Sequence, residues 1–150
     1  MSEIENEPTL AVSLTVKDAG AALDFYVKAL GAEELFRMPS PDGGVPHAEF
    51  KIGNTRLYIS DESPEWNAMG LPEGMRAPCL LSLATDDCDA SFQRAVDAGA
   101  KALFEPADQF WGMRVGMVLD PWGYRWSFRQ FLEEVSPEEM MARAKDLYGG

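Results

Sequence analysis

The sequence predicts an α+β fold made of two consecutive copies of one βαβββ module, and three observations carry that prediction. First, sliding the chain on itself by about 69 residues lays Val12-Ser13-Leu14-Thr15-Val16-Lys17-Asp18 on Leu81-Ser82-Leu83-Ala84-Thr85-Asp86-Asp87, and Ala21, Val27 and Ala29 on Ala90, Val96 and Ala98. Second, after a slip of one residue Gly31-Ala32 meets Gly99-Ala100, and Leu35-Phe36 meets Leu103-Phe104. Alternation and punctuation repeat together, which is the mark of a duplicated structural unit. Third, residues 110–128 read as strand, tight turn and strand. Pro121 presets φ for the second position of a β-turn, and Gly123 supplies a φ that other residues resist.

The elements follow in order. Residues 10–16 alternate, with Val12, Leu14 and Val16 on one face and Ala11, Ser13 and Thr15 on the other, as in a half-buried strand. Asp18 caps a helix that runs to Leu30, with Ala22, Phe25, Tyr26 and Ala29 for its buried stripe and Gly31 as its stop. Residues 34–38 form a second strand. The breaker run Pro39-Ser40-Pro41-Asp42-Gly43-Gly44 turns the chain. Residues 45–52 form the third strand and, after Gly53-Asn54, residues 55–60 the fourth. In the third, Ala48, Phe50 and Ile52 oppose His47, Glu49 and Lys51. In the fourth, Leu57 and Ile59 oppose Arg56, Tyr58 and Ser60.

Residues 61–78 hold three prolines, Trp66, Met69 and Met75, and read as the link between modules. A linker that keeps a tryptophan and two methionines is expected to pack over a site or a partner subunit. The second module gives a strand at 79–84, a helix at 88–98 capped by Asp87, a strand at 102–105 and the hairpin. Its faces set Cys79, Leu81 and Leu83 against Leu80, Ser82 and Ala84, and Trp126 and Phe128 against Arg125, Ser127 and Arg129. Ser136-Pro137-Glu138-Glu139 then starts a C-terminal helix as a capping box with proline in the first turn, with Met140, Met141, Ala144 and Leu147 for packing. The organisation is an acidic tail (1–9), first module (10–60), linker (61–78), second module (79–131) and C-terminal helix (132–150).

Composition sets bounds. A chain of 150 residues can bury a core without staples. Thirteen basic against 25 acidic residues give a formal charge of −12, which argues against nucleic acid or an anionic membrane as partner. Glu3, Glu5 and Glu7 supply part of that charge from the tail. Cys79 and Cys88 do not have the spacing of a metal knuckle or redox pair. With neither a signal peptide nor an apolar run of membrane length, the expected location is the cytoplasm.

Two modules carrying Val16-Lys17-Asp18, Phe25-Tyr26, Leu30-Gly31-Ala32 and Asp120-Pro121-Trp122-Gly123-Tyr124-Arg125-Trp126 resemble the vicinal oxygen chelate superfamily of glyoxalases, bleomycin resistance proteins and extradiol dioxygenases. Phe36-Arg37-Met38-Pro39, His47-Ala48-Glu49, Gln109-Phe110-Trp111-Gly112 and Val135-Ser136-Pro137-Glu138-Glu139 are similar to its PhnB-like branch. The resemblance implies a cupped mixed β-sheet with ligand on the concave face, and a homodimer. It also implies that metal-dependent members place His, Gln or Glu on the first and fourth strands of each module. By motif spacing those positions are Ala11, Tyr58, Leu80 and Ser127. None offers the imidazole, carboxylate or amide that a divalent ion wants, so no metal and no cofactor is expected.

Strand parity would line the cup with Ser13, Thr15, His47, Glu49, Arg56, Tyr58, Ser82, Arg125, Ser127 and Arg129. His47, the one histidine of the chain, projects on the same side as Glu49 and is either an acid/base partner to it or an inert strand-start histidine. Arg56, Arg125 and Arg129 suit an anionic ligand, or else pair with internal acids. Trp111 and Trp122 either wall an apolar ligand or pack internally. Two functions follow: a metal-free small-molecule binding protein of the resistance type, and a lyase, isomerase or dioxygenase-like enzyme using His47 and Glu49 as acid/base or metal-binding residues. No phosphate loop, nucleophile elbow or zincin helix appears in the sequence.

Overall fold

The computed structural model describes residues 8–149. The acidic stretch with Glu3, Glu5 and Glu7 lies outside the described residues. The rest divides into two compact units between Glu73 and Gly74.

The first unit holds β1 (Val12–Val16), α1 (Ala19–Leu30), β2 (Glu33–Met38), β3 (His47–Ile52) and β4 (Thr55–Asp61). Its four strands lie in the order β1-β4-β3-β2, with β1 parallel to β4 and the other pairs antiparallel. Asp18 begins α1 by accepting the Ala21 N–H, and Gly31 ends it at φ 68°, a left-handed conformation that glycine adopts without strain. The buried stripe is Ala19, Ala22, Leu23, Tyr26 and Ala29. Ala22, Tyr26 and Ala29 are buried as expected, while Leu23 is fully buried and Phe25 only half-buried. Tyr26 stacks on Phe50 at 5.5 Å between centroids, which ties α1 to β3. Ala48, Phe50, Leu57 and Ile59 complete this core, as the alternation predicts. The turn between β3 and β4 puts its positive φ on Gly53, at the first central position of a two-residue hairpin.

The second unit holds β5 (Leu80–Ala84), α2 (Cys88–Asp97), β6 (Lys101–Asp108), β7 (Met113–Leu119), β8 (Arg125–Phe131) and α3 (Pro137–Tyr148). Its sheet order, β5-β8-β7-β6, repeats that of the first. Asp87 caps α2 through the Ala90 N–H, and Phe92 packs over Gly116 of β7. Cys88, the first residue of α2, is buried, donates its thiol to the Phe128 carbonyl, and has its pKa raised chiefly by that burial. β6 extends to Asp108 where the sequence suggested Glu105, and β8 runs to Phe131. α3 starts on the Ser136 cap as expected, but it buries no residue: Met141 and Leu147 are 72% and 63% exposed. Arg143 fastens it instead, donating to Glu133, Glu139 and the Phe110 carbonyl.

Arg114 links β7 to α2 through a two-pronged contact with Asp89 at 2.9 and 3.1 Å, and also holds Asp108 at 2.9 Å. Hydrogen bonds from Arg114 hold the Asp89 carboxyl below its ordinary value of 3.8. A carboxyl depressed on folding stabilises above its unfolded pKa, and that contribution is lost as pH falls through the folded value. Asp89→Asn is therefore expected to cost stability at neutral pH and to flatten the acid limb below about pH 4. Melting curves across roughly pH 2–7 check this. Equal slopes for both proteins would count against it.

Candidate functional site

Within each unit the helix takes one face of the sheet, and the strand residues of the predicted site alternate to the other. In the first unit Ser13 faces Tyr58, Tyr58 faces Glu49, and Glu49 faces Phe36, which makes a continuous row across four strands. In the second, Ser82 faces Ser127, Ser127 faces Met117, and Met117 faces Phe104. The rows occupy equivalent places in the duplication, yet the first carries a phenol and a carboxylate, Tyr58 and Glu49, where the second carries only hydroxyl and apolar side chains.

On the first face His47 stands between two rings, 5.7 Å from Tyr58 and 6.4 Å from Phe36. Its Nε2 is 3.8 Å from Glu49 Oε1, close enough for an ion pair once the imidazole is protonated. Thr15 lies opposite Ser60, and Arg56 opposite Lys51 at the other end of the sheet. A cleft of about 490 Å³ opens beside His47. Ser13, Ser60, Asp42, Glu62 and Trp66 also line it. Sequence reasoning named two of these residues, Ser13 and His47. Ser60 shares the Tyr58 face by alternation but was not named for the site, and Asp42, Glu62 and Trp66 sit in the breaker run and the linker, where no alternation points to a face. Trp66 is carried on a loop closed by reciprocal Ser63 and Ala68 backbone hydrogen bonds and is 84% exposed. Among the described residues the linker thus sets Trp66 at a cleft mouth, with Met69 and Met75 also exposed.

Asp61 shapes that end of the sheet. Its carboxylate accepts the Ala19 N–H at 2.8 Å and the Val45 N–H at 2.7 Å, so it fixes the start of α1 and the approach to β3 together.

On the second face Ser127 donates to Ser82 at 2.8 Å. Arg125 lies opposite Leu80 and Leu119, and Arg129 opposite Ala84 and Val115. A smaller cleft of about 280 Å³ is lined by Arg129, Phe131, Met113, Ala84, Thr85 and Asp86. Trp111 and Trp122 occupy the loops at the two ends of β7. Seven residues of strand, roughly 20 Å at 3.4 Å each, separate them, so the two do not share one wall. Trp111 meets Phe110 edge to face, and Trp122 donates its backbone N–H to Asp120.

Two βαβββ units in this strand order, each with a helix-covered and a ligand-accessible design of side chains, define a class. The profile of the Glyoxalase/Bleomycin resistance protein/Dioxygenase superfamily matches residues 9–128, and the chain belongs to that superfamily. An uncharacterized protein of Mycobacterium bovis is 41% identical to it over 142 residues, covering 93% of each chain. The anthracycline biosynthesis protein DnrV of Streptomyces peucetius is 33% identical over 124 residues, which is 81% of this chain and 41% of that protein. Among solved structures, TioX from Micromonospora sp. ML1 superimposes with a TM-score of 0.65 at 25% identity, covering 84% of this chain and all of its own. The fosfomycin resistance protein FosX from Listeria monocytogenes, complexed with Mn(II) and sulfate, shares the fold at a TM-score of 0.65 and 16% identity, over 92% of this chain and 98% of its own.

A metal site of the superfamily type can be tested on the donors present. Ala11 lies one residue before β1, and Leu80 faces Arg125, so the partners across from Tyr58 and Ser127 are Ser13 and Ser82. The first set offers methyl, phenol, isobutyl and hydroxyl groups and the second hydroxyls and a phenol, and neither fits a divalent ion. Among the described residues, no cluster of three or more His, Cys, Asp or Glu side chains is arranged to hold one.

Proposed function

We propose that this chain is a metal-free small-molecule binding protein of the glyoxalase/bleomycin resistance type, holding its ligand against the sheet faces turned away from α1 and α2. The observation that carries this reading is the loss of donors at the four superfamily positions, Ala11, Tyr58, Leu80 and Ser127. In place of a metal, rings (Phe36, His47, Tyr58) and aliphatic groups flank those positions, and such surfaces bind apolar or planar molecules by stacking and burial. Its motifs support a place in the PhnB-like branch. Its exposed outer strands support a homodimer, and its two unpaired thiols a cytoplasmic location. The division into tail, module, linker, module and helix remains part of this reading. The similarity to an anthracycline biosynthesis protein makes an anthracycline a first ligand to try.

The test joins metal analysis of protein purified without chelator to a thermal-shift screen. The expected result is less than about a tenth of an equivalent of metal, with an upward shift from a ligand recovered unchanged. Stoichiometric metal would overturn it.

The contact between His47 and Glu49 favours a second reading, an enzyme using them as an acid/base pair. On the binding reading, His47→Ala removes one ring of the stack and weakens a planar ligand by about tenfold or less. On the enzymatic reading it abolishes turnover while binding persists. Calorimetry and product analysis on the same variant separate the two.

A further inference from the structure

We infer that the second unit grips an anion: the carboxylate of a ligand with an apolar body, held by Arg129 and Arg125 on β8 with the Ser82 hydroxyl between them. This rests on the binding reading above and names the ligand class for one of its faces.

Arginine bookkeeping across the chain points here. Arg37 holds Asp24 and Glu34, Arg114 holds Asp89 and Asp108, and Arg143 holds Glu133 and Glu139. Among the described residues Arg125 and Arg129 have no carboxylate partner, in a chain with 25 acidic residues against 13 basic. The reason is local: β5, β7 and β8 contain no Asp or Glu at all. Two guanidiniums therefore project from a stretch of sheet cleared of internal anions, beside Leu80, Val115 and Leu119.

Low-polarity neighbours strengthen a charge-assisted hydrogen bond, and the planar guanidinium matches a carboxylate through two parallel contacts. Arg125 and Arg129 are four residues apart on one face, about 13 Å at 3.3 Å per residue. The Ser82–Ser127 pair lies midway. Because Ser127 donates to Ser82, the exposed Ser82 keeps its own O–H proton for an anion placed between the arginines. Phe131 and Met113 line the cleft beside Arg129 and would take the apolar body. Thr85 is not part of the grip, since its hydroxyl is engaged with Ser91 at 2.6 Å. Asp86, on the rim of the same cleft, opposes an anion and should weaken it.

The experiment is calorimetric titration of the full chain with 2-naphthoate, 2-naphthylmethanol and 2-naphthylmethylammonium, which share one apolar body and differ in charge. Naphthoate is expected to bind at least about tenfold tighter than the alcohol, and to weaken as salt rises. Arg129→Gln should cut naphthoate affinity about ten- to hundredfold, Arg125→Gln less, and both should leave the alcohol unchanged. Asp86→Asn should tighten naphthoate. Naphthoate binding no better than the alcohol, or equally well to Arg129→Gln with an unchanged melting temperature, overturns the anion grip. If the alcohol still binds in that case, the binding reading survives. Stoichiometric metal alongside arginine-dependent naphthoate binding would instead overturn the metal-free reading and leave the grip standing.

Discussion

Gly112→Ala is expected to destabilise the protein by about 3 kcal/mol or more, because two independent penalties meet at one Cβ. Gly112 sits at φ +87°, in the region that side chains rarely adopt, and a Cβ built there would lie 2.3 Å from the Glu133 carbonyl oxygen and 2.9 Å from Val135 Cγ2. The carbonyl cannot simply step aside. The Gly112 carbonyl accepts the Leu132 N–H at 2.9 Å and the Glu133 N–H at 3.2 Å, so the strap after β8 is bonded to the very residue that would push it away. Arg143 draws Glu133 and the Phe110 carbonyl together over the same spot, so the strain should also loosen α3. For a chain of this size the loss corresponds to roughly 6–12 °C in melting temperature. A drop under about 1 kcal/mol in denaturant titration would show that the strap yields without cost.

Asp120→Ala should rank beside it, at about 3–5 kcal/mol. Asp120 is 3% exposed, and its carboxylate is held by donors from the turn and from β8. Oδ1 accepts the Trp122 and Tyr124 backbone N–H groups at 2.9 and 3.0 Å, and Oδ2 accepts the Trp126 indole N–H at 2.9 Å. Trp126 is itself 1% exposed. Removing the carboxylate takes away the acceptor of that buried indole N–H and releases the turn joining β7 to β8. Asp120→Asn should lose less, since one oxygen survives, but its NH₂ must then face one of the N–H donors. Thermal melts of the two variants should therefore order as alanine below asparagine below wild type. Alanine equal to wild type would refute the account.

The duplication made most of the architecture legible. Strand faces follow from period-two alternation wherever one side meets a helix, and both N-caps are aspartates read directly from the chain. What escaped was set by neighbours rather than by pattern. Pro106 reads as a strand breaker, but β6 is an outer strand bonded on one side to β7, where a missing N–H costs little. Register shifts flank Phe104, so alternation there is broken as well. Phe25 and Leu23 are both apolar on one helix, and only packing against the sheet chose between them.

The site divided along the same line. His47, Glu49, Arg125 and Arg129 could be assigned to a face because they stand on strands, where parity sets the side. Asp42, Glu62 and Trp66 were missed because turns carry no period; a tryptophan inside a proline-rich linker was the one available hint. Asp120 was read as part of a turn sequence, and its capture of the Trp126 indole six residues on could not be seen without the fold.

Both sheets close by a parallel pairing between their first and last strands, Val12 with Leu57 and Leu80 with Arg125, 45 positions apart in each case. Neither pairing can form through a local hairpin, so each half must complete a long loop before its edge docks. On the ribosome this makes assembly stepwise, with the leading strand of each half waiting unzipped until its distant mate has emerged.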